Sequence, residues 1–508
     1  MSGLFSTSNL PIYDSSGNLS PVTVSANGDY QNAYVAQYND AGIPQWATKI
    51  SLNTGNLLAV VVVADTNDTV YVAGRCYPID AGTLTFYSTG NPVATITLPI
   101  SSAEKSEVWL AKYNSDGEVL WATHLIADQV IAAIVSVIVD KDHTVYLCGG
   151  YIGTLSIYDV TGPVATLAAT GTGATSSFLV KYNTNGVYQW GTRVGSTTTN
   201  SAVVASTLYY HESGALYIAG YYTNKLDIYN ASDPSISIYS LIVGNDSELF
   251  LVNYDTDGAY IWATHIGGNV SSDLVSPTVT IDSTGSVYMC GRYASSIVNT
   301  YSAGSPSTPV CTVGNSGQSD SFLAKFSNVG ISEWIANIGG AGRESQVLVA
   351  VDATDNIIVT GFTDSTAVNI YNGGVDLEPL PPPSTTKTLA NPSNYNLVLV
   401  KFNSSGQYQW VTYIGQTYNI NIVPTLSCDI LSNILVAGRF NAQPGPVTNT
   451  LNAYRASDLV ATLSLTVAFS SASTFFVKYS PSGVPIWGAK TLRGDNPDVD
   501  TPFKPWGA

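Results

Sequence analysis

The sequence predicts an all-β protein made of tandem copies of one small sheet. Two repeated patterns predict it, together with the lack of any helical period. The first pattern is a β-rich run closed by tryptophan, as in VWLAKYNSDGEVLW, SFLVKYNTNGVYQW and SFLAKFSNVGISEW. It occurs seven times, ending at Trp46, Trp121, Trp190, Trp262, Trp334, Trp410 and Trp487, which are 69 to 77 residues apart. The second occurs six times, as in VVVADTNDTVYVAG, VTIDSTGSVYMCG and VAVDATDNIIVTG, and follows a tryptophan by roughly 20 residues.

Each pattern is a pair of β-branched and aromatic runs around a Gly, Asn or Asp turn, which reads as a hairpin. The turns NSDG, NTNG and STGS place glycine where positive φ is needed. No segment shows helical periodicity. Each copy therefore supplies four strands, A-B from the second pattern and C-D from the first. Strand A is the VAVD-like run, and strand D carries the tryptophan. Antiparallel four-stranded sheets at this period are expected to be blades of a β-propeller. One blade cannot bury both faces of its sheet. Packing blade against blade can, with the seven tryptophans as apolar wedges.

These copies resemble the SBBP-type β-propeller repeat, whose pattern is "aVD-x-x-G-n-vYv-tG" followed by "d-a-f-v-a-K-y-x-x-x-G-x-x-x-W". The likeness is clearest in VTIDSTGSVYMCGRY with SFLAKFSNVGISEW, and it runs from about Tyr34 to Leu492. The chain departs from it in having long B-C connections. The resemblance implies a propeller and no particular reaction, since propellers host many functions.

The expected layout is a single propeller over 1–492, with a first half-blade at 1–50. Six repeats follow at about 57–125, 133–195, 203–268, 275–340, 346–415 and 422–492. Seven C-D hairpins against six A-B hairpins favour seven blades, one assembled from both chain ends. Six blades plus a half-blade is the alternative. Residues 493–508 are expected to be a tail or a closing strand. The missing inner pair could instead come from another subunit, at an exposed edge.

Every B-C connection carries an insert with its own signature, such as TLTFYSTG, TLSIYDVTG, KLDIYNASD or AVNIYNGG. Its tyrosines are Tyr13, Tyr87, Tyr158, Tyr229, Tyr301, Tyr371 and Tyr454, 70 to 83 residues apart. Each insert is expected to be a hairpin, and topology puts all of them on one face as a crown. Loops on a rigid scaffold carry function, so these tyrosines are the candidate interaction face. A surface of Ser, Thr, Asn, Pro and Tyr suits protein contact or glycan stacking. The plainer reading is that each tyrosine packs its own hairpin against the blade. Pro379, Pro381, Pro382 and Pro383 should make one insert an extended loop.

Charge narrows the partners. Charged residues are 11% of the 508, the net charge is −17, and 45% of the chain is hydrophobic. An acidic surface disfavours nucleic acid. No apolar run is long enough for a membrane span, and Met1–Leu10 shows no signal peptide. The five cysteines fit neither a zinc motif nor a disulfide framework. Cys148 and Cys290 fill a repeat position held elsewhere by Ala73 and Thr360, so a small buried side chain explains them.

Recurring polar residues also follow the repeat. Lys112, Lys181, Lys325, Lys401 and Lys478 share one place in strand C, where Gln37 and Asn253 stand in the other copies. Asp65, Asp140, Asp282, Asp352 and Asp429 end strand A, which predicts a turn cap. Asp255 and Asp257 lie in a turn without the further oxygens a calcium loop needs. His124 and His265 sit at matching places after their tryptophans, and no histidine pair has metal spacing. No nucleophile elbow, P-loop or dinucleotide fingerprint appears. The expectation is therefore no catalytic, cofactor or metal site. The chain should be a structural or recognition component of a cell-surface, virion or extracellular assembly. Its partner would be a protein or further copies of itself. The alternative is a carbohydrate-binding or carbohydrate-active (hydrolase or lyase) propeller using the crown or a central channel. An enzyme of that kind should show carboxylates that break the repeat symmetry.

Overall fold

The computed structural model describes residues 2–492 except 6–8, 14–18, 26–29, 40–42, 91–94, 102–105, 130–135, 170, 271–276, 376–386, 391–395, 416–424, 441–448 and 468–472. The expected closing strand in 493–508 and the proline-rich loop lie outside the described residues. Two compact units are present. Unit 1 is Met1–Asn245 with Leu251–Ile261, and unit 2 is Asp246–Phe250 with Trp262–Ala508. Among the described residues there are 38 strands and no helix.

In unit 2, the repeat at 275–340 pairs Thr278–Ile281, Val287–Tyr293, Asp320–Phe326 and Ser332–Gly340 in chain order, all antiparallel. The next repeat does the same with Glu344–Val351, Ile357–Thr363, Asn396–Phe402 and Tyr408–Gly415. The last does so with Thr425–Cys428, Ile434–Phe440, Ser473–Tyr479 and Pro485–Leu492. Unit 1 repeats the plan with Gly55–Ala64, Val70–Pro78, Ser106–Tyr113 and Val119–Gln129. Ser2–Phe5, Asn32–Tyr38 and Pro44–Leu52 are the B, C and D strands of the first repeat. The C-D ladder slips by one residue just after the recurring lysine, for example at Lys112/Tyr113 and Lys325/Phe326. Such a bulge fits a turn that closes on a left-handed glycine, here Gly117 at φ 77°.

The inserts are hairpins, as in Gly82–Phe86 with Ile96–Ile100 and Asn449–Tyr454 with Ala461–Val467. Their first strands join strand D of the preceding repeat, with Ile50 opposite Phe86, Leu125 opposite Ile157 and Val194 opposite Ile228 in unit 1. Unit 2 shows Ile266 opposite Thr300, Ile338 opposite Ile370 and Ile414 opposite Ala453. Strand D is the outer edge of its sheet, with backbone donors and acceptors that need partners. A hairpin from the following repeat supplies partners to the last residues of D. Each such sheet is therefore widened sideways, at the end where D runs on into the next repeat.

Successive sheets pack face to face. In unit 1, Val35, Trp46 and Ile50 of the first repeat mesh with Val72, Trp109 and Val119 of the second. In unit 2, Tyr288, Leu323 and Trp334 mesh with Val349, Val359 and Val400 of the following repeat. This buried apolar area is the main stabilising contribution.

Candidate interaction surfaces

Five tryptophans donate to a carbonyl in the C-D turn of the next repeat. Trp46 Nε1 donates to the Ser115 carbonyl at 2.8 Å, Trp121 to Thr184 at 3.0 Å, Trp262 to Asn328 at 3.0 Å and Trp410 to Pro481 at 3.1 Å. Trp190 does the same to Thr256 at 3.1 Å. The turn glycine lies flat on the ring: a Cβ on Gly117 would fall 2.6 Å from a Trp46 ring carbon. Glycine is needed there for space as well as for positive φ. Trp334 is buried in the same way against Gly406, and Trp487 of the last repeat is half-buried.

The recurring charges are fasteners too. Lys112 Nζ donates to the Thr184 carbonyl at 3.0 Å and lies 5.0 Å from the Tyr71 ring centroid. Lys181 repeats this with the Thr256 carbonyl at 2.8 Å and the Tyr146 ring at 5.4 Å. Lys401 pairs with Asp352 at 2.8 Å, and Lys478 with Asp429 at 2.9 Å. Each recurring aspartate caps its A-B turn: Asp282 Oδ1 accepts from the Thr284 and Ser286 amides, both at 2.9 Å. Burial pushes the Asp282 carboxyl up, but the Thr284 and Tyr288 hydrogen bonds outweigh it and leave the group below its usual range.

The insert tyrosines stack on the preceding repeat. Their partner stands three residues after that repeat's tryptophan. Lys49 Nζ lies 4.7 Å from the Tyr87 centroid and the Arg193 guanidinium 4.2 Å from that of Tyr229. His124 packs edge-on to Tyr158 at 4.5 Å, and His265 and Tyr413 stack on Tyr301 and Tyr454, both at 4.1 Å. A threonine one residue earlier latches the tyrosine's carbonyl, as Thr123 Oγ1 does to Tyr158, Thr192 to Tyr229 and Thr412 to Tyr454, at 2.6–2.7 Å. In one copy Ala336 replaces that threonine, and the Tyr371 amide donates to the Asn337 carbonyl at 3.0 Å. Tyr87, Tyr229 and Tyr371 are buried, while Tyr158, Tyr301 and Tyr454 are half-buried. Tyr13 lies in the strand Asn9–Tyr13, and its side chain is outside the description. Sequence reasoning missed these partners, although the Trp-x-Thr spacing in five copies was a visible signal for them.

Two buried acids stand out: Glu344 breaks the repeat, whereas Asp320 takes the place held by Glu107 and Glu248 in other copies. Glu344 Oε1 accepts from Thr363 Oγ1 at 2.7 Å and Ser365 Oγ at 2.6 Å, and its Oε2 accepts from the Gly340 amide at 3.0 Å. Burial raises its carboxyl from the usual 4.5 to about 7. Asp320 accepts from Asn337 Nδ2 at 3.0 Å and from the Ser316 amide at 2.9 Å, and burial raises it as well. Both are closed off from solvent. The buried pair Glu107–His124, at 2.9 Å, and the pair Glu248–His265 occupy matching places in two other repeats. Among the described residues no three His, Cys, Asp or Glu side chains come together as a metal cluster.

What reaches solvent outside the pattern is apolar. The A-B turn of the last repeat reads Asp429-Ile430-Leu431-Ser432, with Ile430 90% and Leu431 72% exposed. Its capping is ordinary, since Asp429 Oδ1 accepts from the Leu431 and Asn433 amides at 3.0 and 2.8 Å. The same two places hold Lys141 and Asp142, Glu212 and Ser213, or Ser283 and Thr284 in other copies. Ile486, also exposed, lies at the same end of that sheet, beside the C-D turn.

The chain is 25% identical over 473 residues to an uncharacterized WD repeat-containing protein of Acanthamoeba polyphaga mimivirus. The match covers 85% of this chain and 33% of that protein, so the chain spans about a third of the relative's length. No family model matches the sequence. A crystal structure of TcdB2-TccC3-TEV aligns with 92% of this chain and 29% of its own at 10% identity, with a TM-score of 0.09. The all-strand architecture together with the WD-repeat relative fits a β-propeller repeat protein. No helix of the described residues is long and apolar enough to cross a membrane.

Proposed function

We propose that the chain is a seven-repeat propeller of the SBBP-like kind and serves as a non-catalytic docking platform. Its setting would be a surface, virion or extracellular assembly. The observation that carries this reading is the turn at Ile430 and Leu431. Two large aliphatics stand in water where turn chemistry does not need them and where other repeats carry polar residues or alanine. Fold stability gains nothing from such exposure, whereas a desolvated protein contact does. The relative's WD-repeat description agrees with a protein partner. A carboxylate does break the repeat at Glu344, but it is buried, as is Asp320. A glycosidase needs an open acid pair flanking its substrate.

The test compares wild type with Ile430→Ser/Leu431→Ser. Proteins captured from the native source are identified, purified and titrated against both forms by calorimetry. A partner that binds wild type and loses at least about tenfold in affinity to the double variant, ~1.4 kcal/mol, supports the reading. Equal binding by the two forms sinks it.

A further inference from the structure

Three of the recurring lysines share their acceptor with a tryptophan. The Thr184 carbonyl takes both Trp121 Nε1 and Lys112 Nζ at 3.0 Å. The Thr256 carbonyl takes Trp190 and Lys181 at 3.1 and 2.8 Å, and the Pro481 carbonyl takes Trp410 and Lys401 at 3.1 and 3.2 Å. In each case an ammonium from one repeat sits beside the C-D turn of the next.

The first repeat has no such ammonium. Gln37 stands opposite Trp46 in the C-D ladder, where Lys112 stands opposite Trp121. Ser115 holds the turn position of Thr184. Its carbonyl receives Trp46 Nε1 at 2.8 Å and, among the described residues, no second donor. Asp68 departs from its sisters in a related way. Its counterparts His143 and Asp355 reach back to the A-B turn of the preceding repeat, His143 Nδ1 to Asp65 at 2.9 Å and Asp355 accepting from Ser283 Oγ at 2.6 Å. The first repeat shows no A-B turn among the described residues, where neither Asp68 nor Asp116 has an ion-pair partner. An open pocket of about 570 Å³ lies here, lined by Gln37, Tyr38, Trp46, Asp68, Ser115 and Asp116. Asn253 also replaces the lysine, but it is buried, whereas Gln37 is half-buried.

We propose that this pocket takes a lysine side chain of a partner protein, its ammonium standing where the sister repeats place their own. An ammonium brings three donors and no acceptor. The Ser115 carbonyl and the carboxylates of Asp68 and Asp116 are acceptors without a cation. Tyr38 and Trp46 give the methylene stem an apolar wall. The compact charge of lysine suits the place better than a guanidinium fork, since the sister repeats fill it with lysine. A chain of net charge −17 draws a basic partner.

Saturation-transfer NMR of the full chain with the peptide acetyl-Gly-Lys-Gly-amide tests this, against the same peptide with norleucine. The lysine peptide should bind with a Kd on the order of 1 mM, as one side chain can, and the norleucine peptide should not. Gln37→Lys fills the place from within and should abolish binding. Gln189→Lys adds the same charge at an exposed place in another repeat and should bind like wild type. Asp68→Asn/Asp116→Asn should weaken binding about fivefold, the scale of two exposed ion pairs. Far-ultraviolet circular dichroism checks that the variants fold. A wild type that does not bind overturns the proposal, as does binding that survives Gln37→Lys or the aspartate variant. Binding that appears only in Lys504→Ala also overturns it, because the occupant would then be the chain's own lysine. The docking reading is separate: Ile430→Ser/Leu431→Ser should bind the peptide as wild type does.

Discussion

Tyr222 and Thr363 hold the same place in two copies of one sheet and create opposite interiors. In unit 1, Tyr222 lies across the A-B ladder from Val203, and both are fully buried. In unit 2, Thr363 lies across from Glu344 in the same register. The smaller threonine leaves a cavity lined by Ser321, Val347, Phe362 and Val398, and the carboxyl of Glu344 stands in it. One pair closes the sheet with apolar contact. The other fills the space with an acid held by two hydroxyls and an amide. Residues that obey the repeat fasten sheets together, and the raised carboxyl of Glu344 arises where a residue breaks it.

The largest effect should come from carrying the threonine into unit 1. Tyr222→Thr removes a fully buried ring without supplying an acid to occupy the space. It should cost about 3–5 kcal/mol, as other large-to-small core changes do. Urea unfolding followed by fluorescence measures it. A loss below about 1 kcal/mol would mean that the tyrosine does not fill the sheet junction as described.

The reverse exchange restores the unit 1 pair in unit 2. Folded Glu344 keeps its proton to about pH 7, whereas the unfolded chain releases it near 4.5. The folded state thus binds more protons in that window, and stability falls as pH rises from 4.5 to 7, then levels off. The shift corresponds to about 3 kcal/mol. Asp320, raised by burial as well, adds a loss of the same sign that begins at lower pH. Glu344→Val/Thr363→Tyr should flatten the Glu344 part of the slope and be the more stable form at pH 8. Unfolding titrations from pH 4 to 8 decide it, and an unchanged slope would remove Glu344 as its cause.

A smaller contrast sets Thr192 against Ala336. Thr192 Oγ1 bonds the Tyr229 carbonyl at 2.7 Å, while Ala336 has no hydroxyl to offer. Thr192→Val should cost about 1 kcal/mol, the usual net worth of one buried hydrogen bond. Ala336→Val, which removes no such bond, serves as its control for added bulk. Hydrogen exchange at the strand Leu216–Asn230 should rise in the first variant, because the hairpin's hold on strand D loosens.

Much of this was legible in the chain itself. Trp-ended runs and VAVD-like runs specify strands and turns locally, through alternation and left-handed glycines. The aspartate caps are local too, bonding amides two and four residues on. The placement of the hairpins was not legible. Phe86 pairs with Ile50 across a repeat boundary, and that pairing depends on which edge of the preceding sheet stays open. Tyr87 was visible as a recurring tyrosine, but its partner Lys49 belongs to the preceding copy. Glu344 looked like one of many acids. Its character comes from Thr363 opposite, a contact that spacing along the chain does not announce.

The smallest effect on stability marks the difference between fastening and docking. Ile430 and Leu431 bury little, and their amides keep the turn whatever side chains they carry. Ile430→Ser/Leu431→Ser should therefore change unfolding free energy by less than about 0.5 kcal/mol, the range of ordinary surface changes. Thermal unfolding and urea midpoints should coincide with wild type, while partner affinity falls. A stability loss above about 2 kcal/mol would assign the two aliphatics to the fold. The A-B turn of the last repeat would then be one more fastener, and the docking surface would have to lie elsewhere.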